Sequence, residues 1–235
     1  MTAPLFYVDS VPGSGRVWLE GPDARHAVGA LRLQAGEQVL LGDGAGTMAD
    51  STVTAADRRG GLELEVLGTR HDPEPRSLTV FQAIPKGDRA DLAVELLTEA
   101  GVSRIVPWSS QRTVANWTGK SEAKRERWQR VARAAAMQSR RAYLPVVEAP
   151  GSPTGSGACL VLHEDARQSL FTFSPPPGPL TVVVGPEGGL APEEVETLTG
   201  RGAVALNLGT LIMRTSTAGA AACVWLRGLE QSVES

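Results

Sequence analysis

Hydrophobic positions in about the first seventy residues come in short runs, at 5–8, 16–19, 38–41, 49–54 and 62–67. Gly- and Asp-rich turns such as Gly42, Asp43 and Gly44 divide them, a punctuation that predicts short strands and a small β-barrel. One segment breaks the pattern. After Gly21, Pro22 and Asp23, the residues Ala24, Ala27, Val28 and Leu31 share one face at helical spacing and predict an amphipathic helix. Asp72, Pro73, Glu74 and Pro75 are stiff and polar, and separate a first domain, residues 1–73, from a second, residues 76–235.

Beyond that boundary, runs that suit strands alternate with helical patterns. Strands are expected at 78–84, 104–108, 160–163, 181–184 and 203–206, and helices at 88–100, 121–140, 192–199 and 215–229. The runs at 160–163 and 181–184 are short and apolar, as in parallel strands covered on both faces. Pro192, with Glu193 and Glu194 behind it, marks a helix start. The alternation predicts an α/β domain of about 160 residues. In the last helix Ala218, Gly219, Ala220, Ala221, Ala222 and Cys223 follow one another, which suits close packing across a dimer interface or within the domain's own core.

The chain has 235 residues, 42% hydrophobic and 21% charged, a composition that supports a globular core. The first ten residues lack the basic segment and apolar run of a signal peptide, and the longest apolar stretch, 218–226, is too short to span a bilayer. Cys159 and Cys223 lie far apart with no His or Cys at ligand spacing, so a reduced cytoplasmic protein with no metal and no membrane segment is expected. The net charge of −3 argues against RNA until the charge is located. Between Arg104 and Arg141, ten Lys and Arg stand against two Glu, a local +8 that leaves −11 for the rest. Phosphate binding responds to local basic surface, although a solvated helix face carries the same pattern.

Two strand ends carry the candidate chemistry. Val182, Val183 and Val184 run into Gly185, Pro186, Glu187, Gly188 and Gly189, and then into a helix. Ligands of open α/β sheets bind at the carboxyl ends of strands, and glycines let the backbone come close to them. The turn has neither the spacing of a dinucleotide fingerprint nor that of a P-loop. Thr118, Gly119, Lys120 and Ser121 imitate the end of a P-loop, but Val114 stands where its first Gly belongs. A plain structural turn would read the same way. The second strand end leads through an apolar loop, 207–213, to Arg214, with Thr215 or Ser216 able to cap the next helix. Such a loop suits an adenine. Arg214, the only charge in its stretch, is either an ion-paired structural residue or a cation for a phosphate or a developing oxyanion. Further cations, Lys86, Arg89, Arg112, Arg140 and Arg141, gather near predicted strand and helix ends. Arg25, His26 and Arg32 decorate the helix of the first domain, where a lone His is more often structural.

In this order the segments resemble the ribosomal small subunit methyltransferase E family over nearly the whole chain. The resemblance is carried by Arg25 and His26 with Leu31 and Arg32, by Lys86, Gly87, Asp88 and Arg89, and by the stretch 95–107. It continues through Gln138, Ser139, Arg141 and Pro145, the Gly-Pro-Glu-Gly-Gly turn, and Leu208 and Gly209 with Arg214, Thr215, Thr217 and Ala218. It implies a PUA-like RNA-binding β-barrel, then a SPOUT domain, which is an α/β fold with a deep trefoil knot, and a homodimer. It also implies S-adenosyl-L-methionine held by the knot loops, here 162–164, 185–189 and 208–213. The cofactor contacts so expected are Leu162, His163, Glu164, Gly185, Pro186, Glu187, Gly188, Leu208, Gly209, Leu211, Ile212 and Met213. The implied activity is methylation of N3 of one uridine in 16S ribosomal RNA of the assembled small subunit. Arg25, His26, Arg32, Lys86, Arg89, Arg112, Arg140 and Arg141 are the expected RNA contacts. Three positions depart from the family's pattern: Ser216 and Met137 stand where Glu is usual, and Leu211 where a basic residue is.

Transfer from a methyl sulfonium needs no metal, only a nucleophile aligned behind the methyl group. Uridine N3 must shed a proton, which spreads negative charge over O2 and O4. A guanidinium fixed near those oxygens stabilises that charge, and Arg214 is the expected catalytic residue, with positioning supplying much of the rest. No residue stands out as a general base. Two other readings fit the same residues: a SPOUT methyltransferase acting on another RNA site, such as tRNA or a ribose hydroxyl, and a ribosome assembly factor without catalysis.

Overall fold

The computed structural model describes residues 3–57, 61–115, 117, 119–153, 157–210 and 212–231. They form two compact units, one of Met1–Glu74 with Ala136–Leu144, the other of Pro75–Ala135 with Pro145–Ser235. The return of 136–144 to the first unit is a long-range feature that a linear reading of the chain does not contain.

In the first unit β1 (Leu5–Tyr7), β2 (Gly15–Leu19), β3 (Gln38–Gly42), β4 (Thr47–Asp57) and β5 (Gly61–His71) make one sheet in the order β1-β3-β4-β5-β2. β1 and β3 are parallel; the other neighbours are antiparallel. β4 and β5 run past their expected ends, because register shifts at Asp50/Ser51 and Val53/Ala55 let the pairing continue through polar positions. Phe6, Leu41, Ala49, Leu62 and Leu64 form the buried core, and α1 (Gly21–Gly29) lays Ala24 and Ala27 on it. Leu31 does not join them. The N–H groups of Ala30 and Leu31 both donate to His26 O, which ends the helix and leaves Leu31 exposed. The returning segment is tied in by Ala136 beside Leu5, Tyr7 and Met48, and by Tyr7 Oη donating to Arg141 O at 2.6 Å.

The second unit is built on seven parallel strands: β6 (Leu78–Ala83), β7 (Arg104–Trp108), β8 (Val146–Val147), β9 (Ala158–Leu162), β10 (Gln168–Ser169), β11 (Leu180–Val184) and β12 (Val204–Asn207). Their order is β10-β12-β9-β11-β6-β7-β8. β8 and β10, two residues each at the sheet's edges, are too short for a hydrophobic pattern to reveal. The connections carry α2 (Arg89–Glu99), α3 (Ser121–Gln138) and α4 (Pro192–Gly200), and α5 (Thr215–Gln231) closes the domain. Two apolar cores cover the sheet. Val182 belongs to the one with Leu97, Ile105 and Trp128, and Val183 to the one with Trp108, Cys159 and Leu198. Burial on both faces is why β9 and β11 read as nearly unbroken apolar runs.

The small residues of α5 serve this packing within the chain. A Cβ on Gly219 would stand 3.0 Å from Val184 Cγ2 and 3.1 Å from Leu97 Cδ2, and Ala222 and Cys223 are buried. The helix is thereby seated against α2 and the sheet. Gly219→Val is expected to destabilise the protein by roughly 1–3 kcal/mol through overpacking, seen as a lower urea midpoint at unchanged slope. An unchanged midpoint would mean that α5 does not sit this close.

Candidate active site

Chain order and sheet order part in the middle of the sheet, where β11 lies between β9 and β6, with β12 on the far side of β9. Val184 pairs with Leu162, and Leu162 with Leu206, so three strands end side by side. A topological switch of this kind is where open α/β sheets form ligand crevices. The loops that leave these ends close a cavity of about 470 Å³, the size of a small-molecule site. Leu162, Val184, Leu190, Leu206, Leu208 and Ala218 give it apolar walls, while His163, Glu164, Asp165 and Thr210 add polar side chains. Of the expected contacts, Leu162, His163, Glu164, Gly185, Pro186, Leu208, Gly209, Ile212 and Met213 line it. Leu211 lies outside the described residues.

Glu187 and Gly188 are placed differently from the expectation. Gly189 N–H donates to Pro186 O at 2.9 Å, and Gly189 reverses the chain at φ +70°. Gly189 therefore lines the cavity and Gly188 turns away, its carbonyl accepting from Arg112 Nη1 at 3.0 Å. A Cβ on Gly188 would meet the Arg112 side chain at 3.5 Å. The Glu187 carboxylate accepts the Lys86 N–H at 3.3 Å and lines a neighbouring cavity instead.

Residues that the sequence does not single out hold these loops. Asn207 Nδ2 donates to Ala166 O at 2.7 Å and its Oδ1 accepts from Gly209 N–H at 3.0 Å, joining the loop after β9 to the loop after β12. Gly209 takes φ +88°, a backbone conformation that side chains disfavour. Gln82, fully buried, donates to Ala83 O at 2.9 Å and to Thr215 O at 3.1 Å, and so fixes the first turn of α5 to the end of β6. An isolated polar residue near the end of an apolar strand is the only sequence signal for either.

The neighbouring cavity, about 520 Å³, shares Glu164, Pro186, Gly189, Ile212, Met213 and Thr215 with the first. Lys86, Arg89 and Arg214 line it, and all three are exposed. The structure thus brings Arg214 together with two of the expected RNA contacts and places Arg112 at the glycine turn. Arg25, His26, Arg32, Arg140 and Arg141 belong to the other unit. There Arg140, at φ +53°, donates from Nε to Ala3 O at 2.8 Å. Neither Thr215 nor Ser216 caps α5. Arg214 O accepts the N–H groups of Thr217 and Ala218, both at 2.9 Å, which puts Thr215 and Ser216 inside the first turn and buried.

Part of the local +8 is neutralised within the fold. Arg104 pairs with Glu148 and Arg127 with Asp91, carboxylates outside the segment, while Arg125 pairs with Glu122 inside it. Burial pushes the Cys159 thiol up to about 11 and that of Cys223 up to about 12, so neither supplies a thiolate nucleophile near neutral pH. Among the described residues no group of three His, Cys, Asp or Glu is arranged to hold a metal ion, and no helix is long and apolar enough to cross a membrane.

An RNA methyltransferase domain model matches residues 72–227, and an RNA methyltransferase PUA domain model matches 19–67. A Mycobacterium bovis protein named ribosomal RNA small subunit methyltransferase E is 44% identical, covering 94% of this chain and 90% of its own. The chain belongs to the ribosomal RNA small subunit methyltransferase E family. A family member of that name from Bacillus subtilis is 30% identical over 85% of each chain. The Neisseria gonorrhoeae member, solved bound to S-adenosyl methionine, superimposes with a TM-score of 0.85 at 28% identity, covering 97% of this chain and 98% of its own. The family's architecture, a PUA-like domain ahead of a knotted SPOUT methyltransferase domain, is that of this chain.

Asn207→Ala removes the link between the two loops. Amide exchange at Gly209 is expected to quicken roughly five- to tenfold, the effect of losing about 1 kcal/mol of hydrogen bonding. Wild-type protection in hydrogen–deuterium exchange would show that other contacts hold the loop.

Proposed function

We propose that this chain transfers the methyl group of S-adenosyl-L-methionine to N3 of a specific uridine in 16S ribosomal RNA of the small subunit, in the cytoplasm and as a homodimer. The observation that carries the reading is the pair of adjoining cavities at the strand ends, one apolar-walled and one edged by cations. The apolar cavity suits the cofactor. Leu208, Val184 and Ala218 offer surface to an adenine, and the Asp165 carboxylate and the Thr210 hydroxyl suit the cofactor's hydroxyls. When bound, the cofactor supplies an electrophilic methyl group and no metal is called for. The cation-edged cavity suits the nucleotide. Lys86 and Arg89 attract its phosphates, and the Arg214 guanidinium stabilises the charge that spreads to O2 and O4 as N3 loses its proton. The exposed apolar side chains Val224 and Phe171 are available to a partner copy, and light scattering tests the dimer.

Loss of N3-methyluridine from 16S RNA when the coding sequence is deleted, read by mass spectrometry, tests the reaction; loss of a different modified nucleoside overturns it. Gly209→Val is expected to weaken cofactor affinity by about tenfold, because a branched residue at this φ costs roughly 1–3 kcal/mol. Calorimetry giving wild-type affinity would remove the 207–210 loop from the cofactor site. Arg214→Ala should leave that affinity intact and lower the single-turnover rate by roughly 10²–10³, the loss of one oxyanion donor. A rate close to wild type would reduce Arg214 to a structural residue. Replacing Lys86 and Arg89 with Ala together should flatten the slope of log affinity against log salt by roughly 0.7–0.9 per lost phosphate contact. An unchanged slope would show that neither touches RNA.

A further inference from the structure

We propose that the Glu164 carboxylate accepts the N3 proton of the target base, with Ser216 Oγ donating to a carbonyl beside it. The inference rests on the uridine-N3 activity proposed above.

Three observations lead to it. Six residues line both cavities, and Glu164 is the only ionisable one among them. Its carboxylate is exposed, and no hydrogen bond or ion pair among the described residues engages it. A base that must stand between the methyl donor and the nucleotide belongs on that shared wall. The third observation is Ser216, only 3% exposed, on the wall of the nucleotide cavity in the first turn of α5. Its Oγ has no hydrogen-bond partner among the described residues. A buried hydroxyl left in that state costs roughly 1–3 kcal/mol, which a ligand carbonyl would relieve.

The edge of uracil that carries N3 is an imide, an N–H between two carbonyl oxygens. It calls for one acceptor flanked by donors. Glu164 is the acceptor, and Ser216 Oγ and Arg214 are the donors. Cytosine at the same place would turn an N3 lone pair toward the carboxylate, so the arrangement selects the imide. The N3–H bond breaks as its proton passes to a Glu164 oxygen. The electron pair left on N3 attacks the methyl carbon, the carbon–sulfur bond breaks, and its pair remains on sulfur as a neutral thioether. Glu164 then returns its proton to solvent. The charged and titratable groups around this carboxylate are His163 and Asp165 on its own loop, Glu187 and Arg112 at the glycine turn, and Lys86, Arg89 and Arg214 on the nucleotide cavity.

The test uses full-length Glu164→Gln and Ser216→Ala with unmethylated small subunits from cells in which the coding sequence is deleted, grown with or without 5-fluorouracil. The fluorinated base has a more acidic N3–H and needs less help to lose it. Glu164→Gln is expected to bind S-adenosylmethionine with wild-type affinity by calorimetry and to methylate ordinary subunits about 10²-fold more slowly in a single turnover. Fluorinated subunits or raised pH should restore most of that loss while changing the wild-type rate little. Ser216→Ala should slow both substrates alike, with cofactor affinity unchanged. A Glu164→Gln defect that neither fluorination nor pH relieves, or one that follows a loss of cofactor affinity, overturns the role of Glu164. A wild-type rate for Ser216→Ala overturns that of Ser216. Absence of N3-methyluridine from subunits treated with wild-type enzyme overturns instead the activity on which the inference rests.

Discussion

The placement of β11 between β9 and β6 is the constraint on which the site depends. Both edges of β11 are used, Val182 pairing with Leu160 on one side and with Val80 on the other. Parallel neighbours cannot be joined by a tight turn, so every connection must cross a face of the sheet. The loops after β9, β11 and β12 are thereby gathered at one end. They stay there because α5 can approach closely: Gly219 leaves room for Val184 and Leu97 where a side chain would not. Sheet order, helix seating and cavity shape are thus one problem of space.

Polar groups finish what packing begins. The interior at this end of the sheet is apolar except where a hydrogen bond sets a position, as Gln82 does for the first turn of α5 and Trp108 Nε1 does by donating to Val184 O at 3.0 Å. Such groups are costly to bury unless satisfied, so their presence in apolar strands marks where geometry is specified rather than merely filled. Ser216 Oγ and Gln82 Oε1, at the two ends of the contact between β6 and α5, are exceptions, buried and without a partner among the described residues.

Charge is organised locally. A chain of net charge −3 gathers its cations over 104–141, and the fold then removes several of them by pairing Arg104, Arg125 and Arg127 with carboxylates. Exposed pairs of that kind contribute little stability, yet they remove charge from the surface available to phosphate. The cations brought to the second cavity, Lys86, Arg89 and Arg214, come from two distant parts of the sequence.

Element type was legible in the sequence, because burial on one face or on both writes a period into neighbouring residues. The apolar runs of β9 and β11, the Pro-Glu-Glu start of α4 and the small residues of α5 are all local statements about a side chain's surroundings. The glycine turn and the Leu-Gly…Arg-Thr block could be recognised for the same reason: their spacing lies within one stretch of chain. What the sequence left open depends on residues far apart meeting. Two-residue strands β8 and β10 exist only because a neighbour offers an edge. Gly188 and Gly189 differ in role because φ at Gly189 turns one toward Arg112 and the other toward the cavity. That Gly219 of α5 serves the core shows only when Leu97 and Val184 are found against it. Glu164 reads as one carboxylate in a loop until two cavities meet on it. A sequence records which environment each residue prefers; which residues supply that environment is settled by the sheet order, and that is a property of the folded chain alone.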